Sequence, residues 1–460
     1  MCGIFGIHAN PKAAEITHLG LYSLQHRGQE SAGIVAVDRL TGARASKTMG
    51  LVSEGFEAMD VERLAGDVAI GHTRYSTAGS STIENAQPVL ARVRDGYVSL
   101  AHNGNLTNAT ELKRDLVDTG AIFTSTMDSE VLVHRIARSP KERPEDRLAD
   151  ALCDVEGAYS LVVIIGETLL AARDPRGWRP LVMGKLGDSI VFASETCALD
   201  IVGATMVREI ERGEIVAVDD DGIRSSFPLP KRESRKCVFE YVYFARPDSR
   251  VFGGSVDRAR RALGRRLARE WPAPGAELVF SVPDSSNSAA LGFAEESKLP
   301  FELALIRNHY VGRTFIQPTQ AGRDAKVKVK YNAVHEVLDG KSVVMVDDSI
   351  VRGTTTKGLV AMIRAAGARE VHMRVSSPPI TGPCYYGIDT PNREELIAAN
   401  LSVDQIAQTL EVDTLGYLSL EGMLESVPGG PTGFCHACFS GDYPTPPPTD
   451  PLKLRFGCGC

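Results

Sequence analysis

An apolar run at residues 342–346 (SVVMV) leads without a gap into two acids, Asp347 and Asp348, and then into a Gly/Thr-rich stretch. This pattern predicts a short buried strand ending in paired carboxylates, a tight turn, and an amphipathic helix over about 356–366. Further Val- and Ile-rich runs at 159–165, 190–194, 214–218 and 277–282 read as strands, as does 97–102. Segments 19–24, 129–138 and the basic 255–270 read as helices. The alternation in the first part says α+β and no more, whereas the strand–turn–helix of the second part fits an open α/β sheet. A turn at 219–222 (DDDG) precedes a Pro- and charge-rich stretch at 225–236, which sets a domain boundary near 230. The expected units are therefore 2–230 and 231–460.

Length supports that division, because 460 residues exceed what one ordinary core organises. A net charge of −7, with no long basic run to offset it, argues against a general nucleic-acid binder. The longest apolar run, 159–165, is strand-sized, and the N-terminus lacks a basic segment followed by a long apolar one. The expectation is a cytoplasmic protein without a membrane span or secretory signal. Nine cysteines in such a chain are not by default a disulfide framework and need another account.

The stretch KSVVMVDDSIVRGTTT (341–356) suggests a sugar-phosphate site. Paired acids accept hydrogen bonds from vicinal hydroxyls, while the free N–H groups of a helix start and the hydroxyls of Thr354, Thr355 and Thr356 face an anion. The stretch resembles the signature loop of the phosphoribosyltransferase family. That resemblance implies a parallel-sheet domain in which Asp347 and Asp348 hold ribose hydroxyls and Mg²⁺. It also implies that Gly353, Thr354 and Thr355 take the 5-phosphate with Arg352 alongside, and that Ser349 and Lys330 bind the phosphoribosyl diphosphate. Ser285, in the Pro-Asp-Ser-Ser turn after strand 277–282, resembles the position near the diphosphate that reaches magnesium. The basic stretch from Arg307 through Arg313, Arg323, Lys326 and Lys328 to Lys330 resembles a loop that folds over the bound sugar diphosphate; a solvated loop is the alternative.

At the other end, MCGIFGIHAN places Cys2 next to the start. Trimming of Met1 would leave a terminal cysteine that carries nucleophile and base on one residue, its thiol titrating near ~8.5 and its amine near ~8. Four motifs follow: QHRGQESAGI (25–34), HTRYST (72–77), AHNGN (101–105) and TMDSE (126–130). Together they resemble the glutamine amidotransferases that use an N-terminal cysteine, over about 2–220. The resemblance implies a layered αββα domain in which Cys2 attacks the glutamine amide. Arg74 would hold the substrate carboxylate, Asp128 its ammonium, and Asn103 with the Gly104 N–H would form the oxyanion hole. Each residue has a simpler reading: Arg74 as a surface ion pair, Asp128 as a helix cap, Asn103-Gly104 as a hairpin turn.

Of the cysteines, Cys435 and Cys438 form a C-x₂-C, Cys384 lies in SPPITGPCYY, and Cys237 opens the second unit. Zinc, a cluster or unpaired thiols all satisfy that pattern. The contexts resemble those of the iron-sulfur, Bacillus-type subgroup of amidophosphoribosyltransferases, which implies a [4Fe-4S] cluster on these four residues, in a structural role. Cys153 and Cys197 read as buried small hydrophobes, and Cys458 and Cys460 have no assigned partner. Trp178, in RDPRGWRPL (173–181), stands where an aliphatic residue is more usual.

Taken whole, the chain resembles the amidophosphoribosyltransferases. That implies transfer of glutamine nitrogen to 5-phosphoribosyl 1-diphosphate, a homotetramer, and feedback inhibition by purine nucleotides. Two alternatives stand beside it: another glutamine amidotransferase, which leaves 347–356 unexplained, and a catalytically silent binding protein, against which Cys2, Arg74, Asn103 and Asp128 speak.

Overall fold

The computed structural model describes residues 1–56, 61–75, 80–94, 96–309 and 329–448. In the first half two antiparallel sheets stack face to face. One runs Thr205–Glu209, Val182–Leu186, Ser189–Ala193, Gly3–His8, Val68–Arg74, Ser31–Asp38, Gly42–Met49. The other runs Gly222–Ser226, Ile215–Asp219, Thr168–Arg173, Gly157–Ile165, Gly96–Leu106, Val89–Val93. Their meeting faces bury Ile4, Ile70, Ala101, Val162, Leu169 and Phe192. The pleat turns alternate residues outward, so Phe5 and Ile7 pack with helix residues Ala14 and Leu21, while Leu161 and Val163 pack with Leu132, Ile136 and Leu148. Helices Ala13–Ser23 and Thr196–Val202 thus cover one sheet, and Ala109–Asp118, Ser129–Arg138 and Pro144–Leu152 the other. The layering is αββα.

Two element expectations need correcting. The turn at 219–222 does not end the first unit. It is a hairpin, with Asp219 opposite Gly222, and a further strand Gly222–Ser226 runs into the stretch read as a linker. The turn holds because Arg224 clamps the Asp219 carboxylate with both Nη groups (2.8 and 2.6 Å). Likewise 97–102 is the centre of the longer strand Gly96–Leu106, so Asn103-Gly104 lies within a strand and forms no turn.

The second half carries a parallel sheet in the order Leu278–Ser281, Ser342–Asp347, Glu370–Val375, Thr414–Tyr417. Val343 and Met345 face Leu359 and Ile363 of the helix Thr354–Ala365. Val344 and Val346 face Leu263 and Phe293 on the opposite side. Coverage on both faces explains why 342–346 reads as one unbroken apolar run. All these strands end at the same edge, where the acid pair lies. Among the described residues no helix is long and apolar enough to cross a membrane.

Helices Val256–Glu270 and Asn287–Ser297 approach closely through Gly264 and Gly292. A Cβ on Gly264 would lie 1.8 Å from the Ala289 carbonyl oxygen, and one on Gly292 2.1 Å from that of Arg261. Helix propensity alone favours Gly264→Ala by about 1 kcal/mol. Backbone overlap outweighs it, and the expected net effect is a loss of about 1–3 kcal/mol, seen as a lowered melting temperature. A raised melting temperature would show that the helices can separate at little cost.

Candidate active site

Cys2 precedes the strand Gly3–His8, at the start of the seven-stranded sheet's central strand, and is 6% exposed. Met1 stands before it, buried, its amine pulled down to about 6 by burial. The Cys2 nitrogen donates to Asn103 Oδ1 (3.3 Å), and its sulfur lies 3.7 Å from the Tyr75 carbonyl. Asn103 Nδ2 is buried with no acceptor of its own. A buried donor left open beside a nucleophile is what an oxyanion hole requires before charge develops. At Gly104 a Cβ would sit 1.9 Å from the Ala158 carbonyl oxygen, so the strand admits only glycine there.

Asp128 occupies the first position before the helix Ser129–Arg138, but its side chain makes no capping bond. It accepts instead from the Leu106 N–H (2.9 Å) and Ser129 Oγ (3.0 Å), which aims it at the end of the Asn103 strand. Arg74 ends the strand Val68–Arg74, is buried, and pairs with Glu30 (2.6 Å). It is an inward-facing ion pair next to Tyr75. Ser76 and Thr77 of that motif lie outside the described residues.

The acid pair sits at the carboxyl end of Ser342–Asp347. Burial and the neighbouring Asp348 charge push Asp347 well up from the usual carboxylate range, and burial pushes Asp348 up as well. Ser286 Oγ donates to both acids (3.0 and 3.3 Å), Ser285 Oγ to Asp348, and Ser349 Oγ to Asp348 (2.8 Å). Gly353, at φ +76°, supplies the left-handed residue that opens the helix, which starts at Thr354 and not near 356. Asp347, Asp348, Ser285, Ser349 and the 352–356 turn line a cavity of about 360 Å³. Thr356 is buried, while Thr354 and Thr355 are exposed at its rim. Arg352 leans on Glu395 (2.9 Å) at the same rim, and Lys330, whose ammonium packs over Tyr331, faces Asp347 electrostatically. Arg307 pairs with Asp284. Arg313, Arg323, Lys326 and Lys328 lie outside the described residues.

The same cavity is lined by His26, Arg27 and Tyr75 from the first half. No local pattern around His26, Arg27 or Tyr75 signals that they reach this cavity. The halves meet through buried charge. Arg27 pairs with Glu195 and with Glu240 (2.9 Å), Arg179 reaches Glu240 (3.4 Å), and all four side chains are fully buried. Arg27 Nε also holds the Cys2 carbonyl (2.9 Å), and His26 holds Glu195 (2.8 Å). Glu240 begins the turn Glu240–Phe244, which no periodicity announces.

None of the described cysteines is joined in a disulfide. Cys237 and Cys435 are paired residues in a two-strand parallel ladder that joins the domain boundary to the C-terminal segment. Burial pushes Cys237 up to about 12 and Cys435 to about 11, and Cys438 rises well above its ordinary value for the same reason, each thiol also feeling Cys384. The Tyr386 N–H donates to Cys384 Sγ (3.3 Å). The Trp178 indole, stacked on Tyr386 (4.5 Å, 20°), is buried with its Nε1 directed at Cys435. Among the described residues no three His, Cys, Asp or Glu side chains form a group able to hold one metal ion. Cys197 is buried as expected, but Cys153 is exposed, ending the helix Pro144–Leu152 beside Asp154 and Arg135. Its apolar neighbours turn to the core and it does not. Cys458 and Cys460 lie outside the described residues.

A family described as a glutamine amidotransferase domain matches residues 72–200. The chain is 50% identical to the amidophosphoribosyltransferase of Bacillus subtilis (strain 168), over 96% of this chain and 94% of that one. It is 49% identical to amidophosphoribosyltransferase 2, chloroplastic, of Arabidopsis thaliana, over 98% of this chain and 81% of the relative. A solved structure of the glutamine phosphoribosylpyrophosphate amidotransferase from B. subtilis, complexed with ADP and GMP, matches with a TM-score of 0.91 at 49% identity, over 98% of each chain. A solved allosteric regulatory enzyme of purine biosynthesis matches with a TM-score of 0.93, also at 49% identity over 98% of each.

The buried charges set an acid dependence. Burial alone would raise Glu195, but the charges of His26 and Arg27, with hydrogen bonds from His26 and the Arg246 N–H, outweigh it and hold the carboxyl well below the usual range. A depressed carboxyl contributes stability above its unfolded value of about 4.5, and that stability drains away as pH falls below it. Glu195→Gln should cost about 3–5 kcal/mol at neutral pH. The melting-temperature gap to the parent should then narrow as pH drops below about 4.5; a gap independent of pH would contradict this assignment.

Proposed function

The chain belongs to the amidophosphoribosyltransferase family, and on that premise we propose how its two sites divide one reaction. The enzyme uses glutamine to aminate 5-phosphoribosyl 1-diphosphate in purine biosynthesis, giving 5-phosphoribosylamine, glutamate and diphosphate. The observation that carries the division of labour is Tyr75: its carbonyl lies 3.7 Å from the Cys2 sulfur, and its residue lines the acid-pair cavity. The two sites share a wall.

In this reading the Cys2 thiol, with Met1 removed, attacks the glutamine amide carbonyl, and the developing oxyanion takes the free Asn103 Nδ2 and the Gly104 N–H. The Cys2 amine, held at Asn103 Oδ1, receives the thiol proton and returns it to the leaving nitrogen. Ammonia departs, a thioester remains, and water hydrolyses it to glutamate. Arg74 and Asp128 fix the substrate's carboxylate and ammonium, so that binding energy is spent on orientation. Ammonia must stay neutral to attack the ribose C1 and displace diphosphate, and the short shared wall keeps it from bulk water.

Asp347 and Asp348 hold the ribose hydroxyls, while the Gly353–Thr355 turn and helix N-terminus take the 5-phosphate. Two adjacent buried carboxyls suit Mg²⁺, which keeps most of its waters and uses few protein ligands. When bound, it neutralises the diphosphate leaving group; Asp347, Asp348 and Ser285 are its expected neighbours.

We assign a [4Fe-4S] cluster to Cys237, Cys384, Cys435 and Cys438. The Trp178 and Tyr386 N–H groups, directed at Cys435 and Cys384, and the buried Arg179 guanidinium, which faces Cys237 and Cys384, form surroundings suited to anionic sulfur. Zinc would need its four sulfurs within about 4 Å of one another at once, whereas a cluster takes one thiolate per iron and accepts wider spacing. The cluster, when bound, pins the C-terminal segment to the domain joint. A cytoplasmic homotetramer inhibited by purine nucleotides completes the proposal; the nucleotide-bound B. subtilis relative supports the last part.

Two measurements test this reading. Cys2→Ser should abolish glutamate release and glutamine-dependent product while leaving ammonia-dependent diphosphate release within about twofold. Persistence of glutamine-dependent turnover would overturn the role of Cys2. Anaerobically purified protein should carry about four iron and four acid-labile sulfide per chain; stoichiometric zinc, or no metal, would overturn the cluster.

A further inference from the structure

Arg260 lies near the start of the helix Val256–Glu270 and is 2% exposed. Nothing in the reaction above uses it. Its guanidinium gives its hydrogen bonds to main-chain carbonyls of two separate segments. Nε donates to Tyr241 O (2.9 Å), Nη2 to Ala245 O (2.7 Å), and Nη1 to Ser285 O (3.4 Å). Burial pulls its pKa down, and the foremost charge opposing that pull is Asp348. A cation buried against carbonyls, with no carboxylate in ion-pair contact among the described residues, is costly unless the geometry it fixes is needed.

The two segments are significant. The turn Glu240–Phe244 begins with the carboxylate that grips Arg27 and Arg179 of the first half. Ser285 lies in the loop whose hydroxyls grip Asp348. Arg27 in turn holds the Cys2 carbonyl. A chain of contacts therefore runs from the nucleophile through Arg27, Glu240 and its turn, and Arg260, to the loop at the diphosphate end of the cavity. The planar fork of arginine spans three diverging carbonyls; a lysine ammonium carries the same charge without that reach.

We propose that Arg260 is a positioning residue that fixes the Ser285 loop, and with it the diphosphate end of the phosphoribosyl site, at a set offset from the Glu240 turn and hence from the glutaminase half. This rests on the phosphoribosyl reading of the cavity. Removing the fork lets the loop relax independently of the joint. Affinity for the sugar diphosphate then falls, while glutamine hydrolysis at Cys2, anchored by Arg27 and Asn103, does not.

The test uses the full-length enzyme with ammonia as nitrogen source, following diphosphate release against 5-phosphoribosyl 1-diphosphate concentration. Glutamate release from glutamine without the sugar diphosphate is measured in parallel. Arg260→Met should raise KM for the sugar diphosphate about tenfold or more, as expected for loss of a charge-assisted hydrogen bond, with basal glutamate release within about twofold of the parent. Arg260→Lys, retaining charge but not the fork, should also raise KM, by about threefold or more. A parent-like KM in Arg260→Lys overturns the proposal whether or not Arg260→Met folds. A parallel loss of both activities with a lowered melting temperature also overturns it, leaving only a structural role. Absence of ammonia-dependent diphosphate release in the parent enzyme would instead overturn the functional reading itself.

Discussion

Buried charge at the joint between the halves is the constraint from which the rest follows. Arg27, Arg179, Glu195 and Glu240 are all removed from water, and Arg27 alone touches both carboxylates and the Cys2 carbonyl. Ions in such a setting are tolerated only when their geometry is complete, because a partner left unpaired costs several times the worth of the bond. The consequence is specificity of arrangement: the glutaminase sheet and the parallel sheet have one satisfactory docking, and that docking puts Tyr75 between the thiol and the acid-pair cavity.

Each site shows the opposite electrostatic state. At the joint every buried charge is matched, whereas at the functional atoms something is left open. Asn103 Nδ2 has no acceptor among the described residues, and burial pushes both Asp347 and Asp348 up, Asp347 also through the charge of Asp348. These are expensive conditions in a folded protein. Both lie at the candidate site, one beside the Cys2 nitrogen and the other at the carboxyl end of the parallel sheet.

The C-terminal segment adds a second fastening at the same joint. Its Cys435 pairs in register with Cys237, the first strand after the boundary, and Tyr386 stacks on Trp178 from the glutaminase half. Trp178 therefore fills space between the halves and directs its N–H at a sulfur. A smaller apolar residue there would leave a cavity and carry no N–H.

What the sequence determined by itself were the parts whose chemistry is local. The strand carrying Asp347 and Asp348 is legible because an apolar run and an acid pair are contiguous, and the helix after it because Gly353 and the threonines mark its start. The motifs single out Cys2, Arg74, Asn103, Gly104 and Asp128, and the fold brings Cys2 and Asn103 within hydrogen-bond distance. Only tertiary structure decided how they meet, since no periodicity records which buried cation faces which carboxylate 213 positions away, as Arg27 does Glu240. The same limit hid the strand Gly222–Ser226, whose turn was read as an ending, and exposed Cys153, whose neighbours are buried while it is not. It hid Arg260 as well, an arginine in a basic helix until the fold turns that one side chain inward onto carbonyls. Local pattern fixes what a segment is; which side of it is desolvated, and against what, depends on contacts across the whole chain.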